Sequence, residues 1–471
     1  MKRTMRMLRN GLGLLLLLAL AASAAWLIVQ SRPRPPQAAG SPLPTPTAVR
    51  SPTPSRSPSP TARQPGPPAS PTPAATRVGQ RVPFCTFPGG EPPDKGGPGL
   101  DKYEFSEPRV VLTSTAGIAI ADWLPDNNRL LIMRSDPQTG LELIETLDVR
   151  TGAVQLYAER VAHNGKPIWL SAIQVVAYSD IPSLKTNPQL TTPPSELHIG
   201  RVQPPEIETV ATSQGVYGLL GFSLAVDPSG RHLLYMLDRT GDRLQSWDSM
   251  ARTNQATAFD VAIWRHSSPV ASQPMWQHMV TPLWSPNGTR LAVFVGPGSL
   301  FLVEPGHDRV CEVDLGRRWS KAELSKWNSN GRYLALITSD EAPSPLVGRT
   351  DVTVLDVLTG EMRTLPLPTD RGSVMEVSWG SNGQHLVMLA KSANEQERST
   401  QAKLFLADVA TDNVQQMLSE PLRGGSAQWG EQMSWAHNGR LLAVKCPVIA
   451  EIGSPILTED RVCLIATETR P

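Results

Sequence analysis

The sequence predicts an all-β fold, a seven-bladed β-propeller built from four-stranded antiparallel blades and closed by an N-terminal strand. Three observations lead to this prediction. A pattern of Trp, turn and apolar strand occurs seven times at spacings of 43 to 58 residues. Each copy has room for four short strands, and the segment before the first copy has the form of a strand that the last copy lacks. Four strands per repeat at this period are typical of propeller blades.

The clearest copy runs from Pro282 to Phe294 and reads Pro-Leu-Trp-Ser-Pro-Asn-Gly-Thr-Arg-Leu-Ala-Val-Phe. Its Pro and Gly favour a tight turn, because Pro presets one backbone angle and Gly accepts a positive φ. The turn therefore joins a strand that ends near the Trp to a second, apolar strand. The copy at Trp169 lacks the Gly, so six blades are the alternative. The seven anchor positions are Trp123, Trp169, Val226, Trp284, Trp327, Trp379 and Trp435.

A third strand in several copies ends in a second turn signal, as at residues 148–152 and 356–360, which read Asp-Val-Arg-Thr-Gly and Asp-Val-Leu-Thr-Gly. We expect the Asp of this turn to accept hydrogen bonds from nearby backbone N–H groups. We expect the repeat Trp residues to pack between neighbouring blades.

Closure of the ring is predicted from both ends of the repeat region. The last copy has strands near residues 441–446 and 461–466 and then stops without a full fourth strand. Residues 107–113 have the form of a fourth strand, so this N-terminal segment is expected to complete the last blade. In a ring closed in this way, the first and last segments of the repeat region pair with each other and leave no incomplete blade with an unpaired edge strand.

This pattern resembles the WD-repeat-like propellers of the TolB type over roughly residues 105–471. The Trp-Ser-Pro-Asn-Gly turn, the apolar strand after it and the Asp-x-x-Thr-Gly turn carry the resemblance. Members of this family serve as periplasmic interaction platforms or as the gating propeller ahead of an α/β-hydrolase domain. The resemblance therefore implies a propeller with a binding role, and we expect no hydrolase domain because the repeats continue to the C-terminus.

Residues 1–30 are predicted to hold a short cytoplasmic N-terminus and a transmembrane signal-anchor. The apolar run from residue 11 to 29 approaches the ~20 residues that a spanning helix needs. Four basic residues and no acid precede it, and this charge bias keeps the N-terminus inside and directs the rest outward. The alternative is a cleaved signal peptide, because Ala22-Ser23-Ala24 resembles a cleavage site. We therefore expect a single-pass membrane protein with an extracytoplasmic propeller or, alternatively, a secreted one.

Residues 31–83 are predicted to be a disordered linker rich in Pro, Ser, Thr and Arg, because large apolar residues are nearly absent. The propeller domain would then occupy residues 84–471. The linker carries seven Arg and no acid, and the whole chain has a net charge of +1, so residues 84–471 carry a net charge of −10. An acidic domain argues against nucleic acid as a partner, because phosphate binding needs a basic surface.

The four cysteines are Cys85, Cys311, Cys446 and Cys463, and none forms a Cys-x-x-Cys pair. This spacing excludes the usual zinc and thioredoxin-like motifs. Cys446 ends one predicted strand and Cys463 lies in the next, so a disulfide across a hairpin is one expectation. Buried free thiols are the other.

The sequence contains no Gly-x-Ser-x-Gly, no His-Glu-x-x-His, no phosphate-binding Gly-Lys loop and no Asp-rich calcium loop. We expect no catalytic residue, no metal site and no cofactor. The alternative is a propeller-class enzyme, a lyase or hydrolase with its site in the central channel. The predicted inner strands offer Asp122, His278 and Glu376 for such chemistry.

Binding is expected on the face that carries the long connections between second and third strands, because loops on a rigid scaffold commonly hold binding residues. The richest of these segments is Asp238–Phe259, where Arg243, Trp247 and Arg252 are the candidate binding residues on a short amphipathic helix. The expected partner is an extracytoplasmic protein, peptide or glycan, in addition to the membrane that residues 11–29 would enter.

Overall fold

The computed structural model of the 471-residue chain describes most of the repeat region and none of residues 1–82. The predicted anchor and almost all of the predicted linker therefore lie outside the described residues. No helix within the described ranges is long and apolar enough to cross a membrane. The described residues are 83–89, 98–161, 165–187, 190, 193–201, 205–213, 223–235, 243–260, 280–295, 298–305, 309–316, 319–320, 324–339, 350–367, 373–391, 401–423, 432–449 and 457–469.

Seven antiparallel sheets follow one another along the chain, each with its first strand innermost. A 3₁₀ turn, Leu100–Lys102, precedes β1 (Tyr103–Phe105) and β2 (Arg109–Ser114). Blade 1 holds β3 (Ile118–Trp123), β4 (Arg129–Ser135), β5 (Leu141–Asp148) and β6 (Val154–Val161). Blade 2 holds β7 (Ile168–Leu170), β8 (Val175–Asp180), helix α1 (Pro182–Thr186), β9 (Ser195–Arg201) and β10 (Glu206–Ser213). Blade 3 holds β11 (Leu224–Val226), β12 (His232–Tyr235), β13 (Arg243–Asp248) and β14 (Thr253–Asp260).

The second half of the ring has the same plan. Blade 4 holds β15 (Val280–Trp284), β16 (Leu291–Val295), β17 (Ser299–Glu304) and β18 (Arg309–Val313). Blade 5 holds β19 (Trp319–Ser320), β20 (Lys326–Trp327), β21 (Tyr333–Ser339), β22 (Asp351–Asp356) and β23 (Met362–Leu365). Blade 6 holds β24 (Ser373–Trp379), β25 (His385–Lys391), β26 (Gln401–Asp408), β27 (Asn413–Gln416) and β28 (Leu422–Arg423). Blade 7 holds β29 (Met433–Trp435), β30 (Leu441–Lys445), β31 (Val448–Ile449) and β32 (Leu457–Thr469).

The predicted N-terminal strand closes the ring. Both β1 and β2 pair antiparallel with β32, with Arg109 opposite Leu464, and so add the outer strand of blade 7. On the inner side, β29 of blade 7 lies against β3 of blade 1. The fold is therefore the seven-bladed propeller of four-stranded blades that the repeat predicts.

The turn between the first and second strands explains the seventh, degenerate copy. Gly288 adopts a φ of 71° in the clearest repeat, and Asn127 takes the equivalent place in blade 1 with a φ of 54°. In blade 2, Gln174 closes the turn with a φ of 57°. Blade 2 therefore forms its turn without a Gly, because Gln174 adopts the left-handed conformation. Since this copy forms a four-stranded sheet of its own, the six-blade alternative is wrong.

The repeat Trp residues pack between blades, as expected. In three of them the indole N–H also donates a hydrogen bond to a backbone carbonyl of the preceding blade. In each case the carbonyl belongs to the residue just before the anchor Trp of the preceding blade. These bonds join Trp123 to Ser434 at 2.8 Å, Trp327 to Leu283 at 2.9 Å and Trp379 to Lys326 at 2.9 Å.

The Asp residues of the second turn signal cap their own hairpins, which confirms that prediction. Oδ1 of Asp148 accepts the N–H groups of Arg150 and Thr151, and Oδ1 of Asp356 accepts the N–H of Leu358.

Two disulfides are present, and the described part of the chain has no free cysteine. Cys446 and Cys463 are joined between β30 and β32, as the hairpin interpretation predicts. Cys85 and Cys311 are joined over a sequence separation of 226 residues, a pairing that was not predicted.

Candidate ligand site in the central channel

The innermost strands of the seven blades surround the axis of the ring. Asp122 of blade 1 and Lys326 of blade 5 each lie directly before the anchor Trp of their blade, and Ser434 of blade 7 takes the same position. Residues at one register position of equivalent strands lie at one level along the axis. Blades 1 and 5 are almost opposite in a ring of seven, so Asp122 and Lys326 approach this level from different sides.

A β-bulge sets the direction of Asp122. The register of β3 against β4 shifts between Ile120 and Asp122, so one residue is inserted just before the carboxylate. Bulges re-aim the side chains that follow them and occur often beside functional sites. The residue of Asp122 is exposed, although both neighbours, Ala121 and Trp123, are buried. The carboxylate therefore faces water within a channel whose walls are the blades.

Asp122 is held as a carboxylate by its surroundings. Its Oδ1 accepts the hydroxyl of Ser434 at 3.0 Å and the backbone N–H of Trp123 at 2.8 Å. Burial by the surrounding blades opposes ionisation, but the charges of Lys166, Lys326 and His437 outweigh it, so the pKa of Asp122 falls below its ordinary value.

The two lysines act on this carboxylate through their charges and belong to separate blades. Lys166 lies just before β7 of blade 2, Lys326 lies on β20 of blade 5, and both are half-buried. We call Asp122, Lys166 and Lys326 the charged belt. It has one negative and two positive charges, whereas residues 84–471 as a whole carry a net charge of −10. The charges of these three residues thus sum to +1, opposite in sign to the net charge of the domain.

The other residues named for chemistry have different surroundings. Glu376 is buried, and its Oε2 accepts the backbone N–H groups of Gln432 and Met433 at 2.5 and 3.0 Å, so this carboxylate joins blade 6 to blade 7. His278 lies outside the described residues. Within the described ranges, no group of three His, Cys, Asp or Glu is arranged to hold a metal ion.

The predicted binding segment Asp238–Phe259 has a different structure from the expected one. The amphipathic helix is wrong, because Arg243 and Trp247 lie on strand β13. Trp247 is only 2% exposed and packs with Leu170 and Leu233 between blades 2 and 3. A side chain enclosed in this way stabilises the fold and cannot contact an external partner.

Arg252 also lies elsewhere than expected. It adopts a φ of 52° in the turn from β13 to β14, which is on the face opposite to the long connections. Its guanidinium donates to Glu206 of blade 2 at 2.8 Å. The side chain of Arg243 lies outside the described residues. The three candidates are thus not brought together into one surface.

Sequence reasoning named Asp122 but missed the two lysines. Lys326 occupies the register position before a repeat Trp, which is a signal that the alignment of copies contained. Lys166 is three residues before Trp169 in the degenerate copy, where the alignment offered little guidance.

No protein-family model matches the sequence, and no curated protein matches it. Among solved structures, TolB from Acinetobacter baumannii is similar with 14% identity and a TM-score of 0.39, over 64% of this chain and 65% of the TolB chain. This chain thus spans 65% of the length of that TolB. An oligogalacturonate lyase in complex with manganese has 11% identity and a TM-score of 0.48, over 79% of this chain and 98% of the lyase.

The β-propeller domain of Cps50 (Swd1) from Myceliophteria thermophila has 12% identity and a TM-score of 0.46, over 76% of this chain and 99% of that domain. Likeness at these identities concerns the fold, and one propeller fold hosts many functions. The chain is a seven-bladed β-propeller with structural similarity to TolB and to the WD-type propeller of Swd1.

Proposed function

We propose that the protein is a membrane-anchored, extracytoplasmic propeller that binds a protein, peptide or glycan without catalysing a reaction. The ligand presents an anionic group to the charged belt in the central channel. The observation that carries the proposal is that the positive charges of Lys166 and Lys326, which belong to two other blades, act on the carboxylate of Asp122 on the inner strand of blade 1.

The electrostatics of the belt favour an anion. The charges of the two lysines and the one carboxylate sum to +1, and the enclosing blades lower the local dielectric. A carboxylate or similar group that enters the channel gains charge-assisted hydrogen bonds, each with a contribution of about 1.5–3 kcal/mol. Because Asp122 is ionised at neutral pH, it orients the lysines and excludes a second anion from its own side.

The location outside the cytoplasm rests on separate observations. Disulfides form and persist in oxidising compartments, and both pairs of cysteines are joined. The apolar run at residues 11–29 and the basic residues before it favour an anchor with the propeller outside.

The test is affinity capture with the full chain, solubilised in a mild detergent, on cell-envelope extract followed by mass spectrometry. The double variant Lys166→Gln/Lys326→Gln should lose the captured ligand, with affinity at least tenfold lower. The matched control Arg150→Gln/Arg309→Gln removes two positive charges from the outside of the ring, where these side chains are 71% and 77% exposed, and should capture normally. Equal capture by both double variants would overturn the proposal.

Two further arms separate the alternatives. Asp122→Asn removes the negative charge of the belt, so it should bind an anionic ligand more tightly than the wild type. The captured ligand is also incubated with the wild type and its mass is followed. A cleaved or eliminated product that is absent with Asp122→Asn would favour the propeller-class enzyme instead.

A further inference from the structure

The described residues before blade 1 run along the outside of the ring before they close it. We call residues 83–89 and 98–114 the N-terminal strap. Phe84 pairs in parallel with Glu312 on β18, which is the outermost strand of blade 4. The N–H of Cys85 donates to the carbonyl of Glu312 and the N–H of Glu312 donates to the carbonyl of Pro83, both at 2.9 Å. The strap thus begins with an isolated parallel bridge to the outer edge of blade 4.

The next contacts are made with blade 5. The N–H of Gly89 donates to the carbonyl of Leu358 at 2.9 Å, in the turn between β22 and β23. The ring of Phe87 covers the same turn so closely that a Cβ on Gly360 would lie 2.2 Å from it. Cys85 and Phe87 pack against the apolar core between blades 4 and 5.

The second part of the strap contacts blades 6 and 7. The carbonyl of Leu100 accepts the side-chain amide of Gln415 at 2.8 Å, and the hydroxyl of Tyr103 lies 2.9 Å from Nδ1 of His385. Strands β1 and β2 then pair with β32 and close the ring. The strap therefore contacts blades 4, 5, 6 and 7 in order, and its one covalent attachment to them is the Cys85–Cys311 bond at the beginning.

We propose that the N-terminal strap is a strain-relief clamp, in which the Cys85–Cys311 bond carries any pull on the preceding chain into blade 4 and keeps it away from the closing strands. Without that bond, a pull at residue 83 would act on noncovalent contacts alone, first the hydrogen bonds to Glu312 and Leu358 with the packing of Phe87, and then the pairing of β1 and β2 with β32. With it, tension ends at Cys311, which lies within β18 and is paired to β17. The pulling force would come from the membrane anchor of the proposed function. The way in which the folded domain transmits that force does not depend on the anchor, so it is tested without a membrane.

The test is single-molecule stretching of the full, detergent-solubilised chain between an N-terminal tag and a click-reactive residue at position 138, in the exposed hairpin of blade 1. In Cys85→Ser/Cys311→Ser we expect an early extension on the order of 100 Å, as the 83–114 segment peels away. The oxidised wild type should show no extension before its blades unfold. The matched variant Cys446→Ser/Cys463→Ser, which removes the other disulfide, should behave like the wild type.

A second arm avoids reliance on the folding of a variant. Single wild-type molecules are stretched before and after exposure to a dithiol reductant. The dithiol gives two electrons and two protons to the two Sγ atoms, which become thiols, and is itself oxidised to a disulfide. The early extension should appear only after this exposure. Its presence in the oxidised wild type, or its absence both after reduction and in Cys85→Ser/Cys311→Ser, would overturn the clamp.

Discussion

Two arcs of the ring join their blades by different means. From blade 4 through blades 5, 6 and 7 to blade 1, inner strands are hydrogen-bonded to one another at every interface, by indole N–H groups or by the side chains of Ser378 and Glu376. From blade 1 through blades 2 and 3 to blade 4, the described inner strands make no such bonds. Polar contacts there are made away from the inner strands, as when Arg160 on β6 donates to the carbonyl of Ser179 on β8. We call these the bonded arc and the apolar arc.

The strap follows the bonded arc, so hydrogen bonds, the strap and the Cys85–Cys311 bond all reinforce the same blades. Apolar packing is non-directional, whereas hydrogen bonds lose their contribution when geometry shifts. The blades of the apolar arc can therefore shift against one another more easily. We expect their interfaces to open before those of the bonded arc, since stability is not uniform across a fold. The charged belt draws its members from both arcs, because Lys166 belongs to blade 2.

The largest expected effect comes from the disulfide that belongs to the bonded arc. Cys85→Ser/Cys311→Ser opens a loop of 226 residues, and the chain-entropy model gives a loss of about 5 kcal/mol in the free energy of unfolding. Cys446→Ser/Cys463→Ser opens a separation of 17 residues and should cost about 3 kcal/mol. Denaturant unfolding of both variants measures the difference. Equal losses of unfolding free energy in the two variants would show that the Cys85–Cys311 bond stabilises the fold no more than the short-range Cys446–Cys463 bond does.

The indole bonds give the second test. Trp379→Phe removes the donor to the carbonyl of Lys326, so we expect it to cost about 1–2 kcal/mol more than Trp284→Phe, whose indole nitrogen has no acceptor among the described residues. Trp435→Phe is a second control inside the bonded arc, because its indole nitrogen also lacks such an acceptor. Denaturant unfolding compares all three. A loss for Trp284→Phe as large as that for Trp379→Phe would remove the distinction between the arcs.

The turns supply a third test. Gly439 and Gly288 both have a positive φ, near 72° and 71°, so an Ala at either place should cost about 1 kcal/mol for the backbone alone. A Cβ on Gly439 would also lie 2.3 Å from the hydroxyl of Ser381, whereas one on Gly288 would meet nothing nearer than Pro228 at 3.7 Å. Gly439→Ala should therefore lower the thermal midpoint further than Gly288→Ala. The reverse order would contradict the closer packing of Gly439 against Ser381.

The last test is the pH dependence of two buried histidines, His385 under the strap and His198 in blade 2. Burial lowers the pKa of both below the ordinary value, against the opposing charges of Asp408 near His385 and Glu196 near His198. As the pH falls below about 6.5, each of these histidines therefore binds a proton in the unfolded chain before it does so in the folded protein. Each histidine should reduce the free energy of unfolding by at most about 1.4 kcal/mol per pH unit there.

Denaturation between pH 7 and pH 5 measures this slope. His385→Gln and His198→Gln should each flatten it, and amide exchange should show that acid loosens the strap in the wild type but less so in His385→Gln. A slope unchanged in both variants would mean that other groups account for the acid sensitivity.

Local sequence signals were enough for the architecture of the blades. In six of the seven blades a Gly or Asn with a positive φ closes the turn after the anchor position, and this local signal allowed the copies, their strands and the closing segment to be recognised. The hairpin position of Cys446 and Cys463 was equally local. The helix expected around Trp247 failed because polar and apolar residues in a strand that is buried between blades can imitate a helical pattern.

The contacts that matter for function are those between residues far apart in the chain. The charges of Lys166 and Lys326 act on Asp122 because the ring closes, and Cys85 meets Cys311 because the strap passes the outer edge of blade 4. No spacing rule connects such residues, since their distance depends on how seven sheets are arranged about one axis. The repeat alone thus specified the blades, and only their assembly into a ring created the charged belt and the clamp.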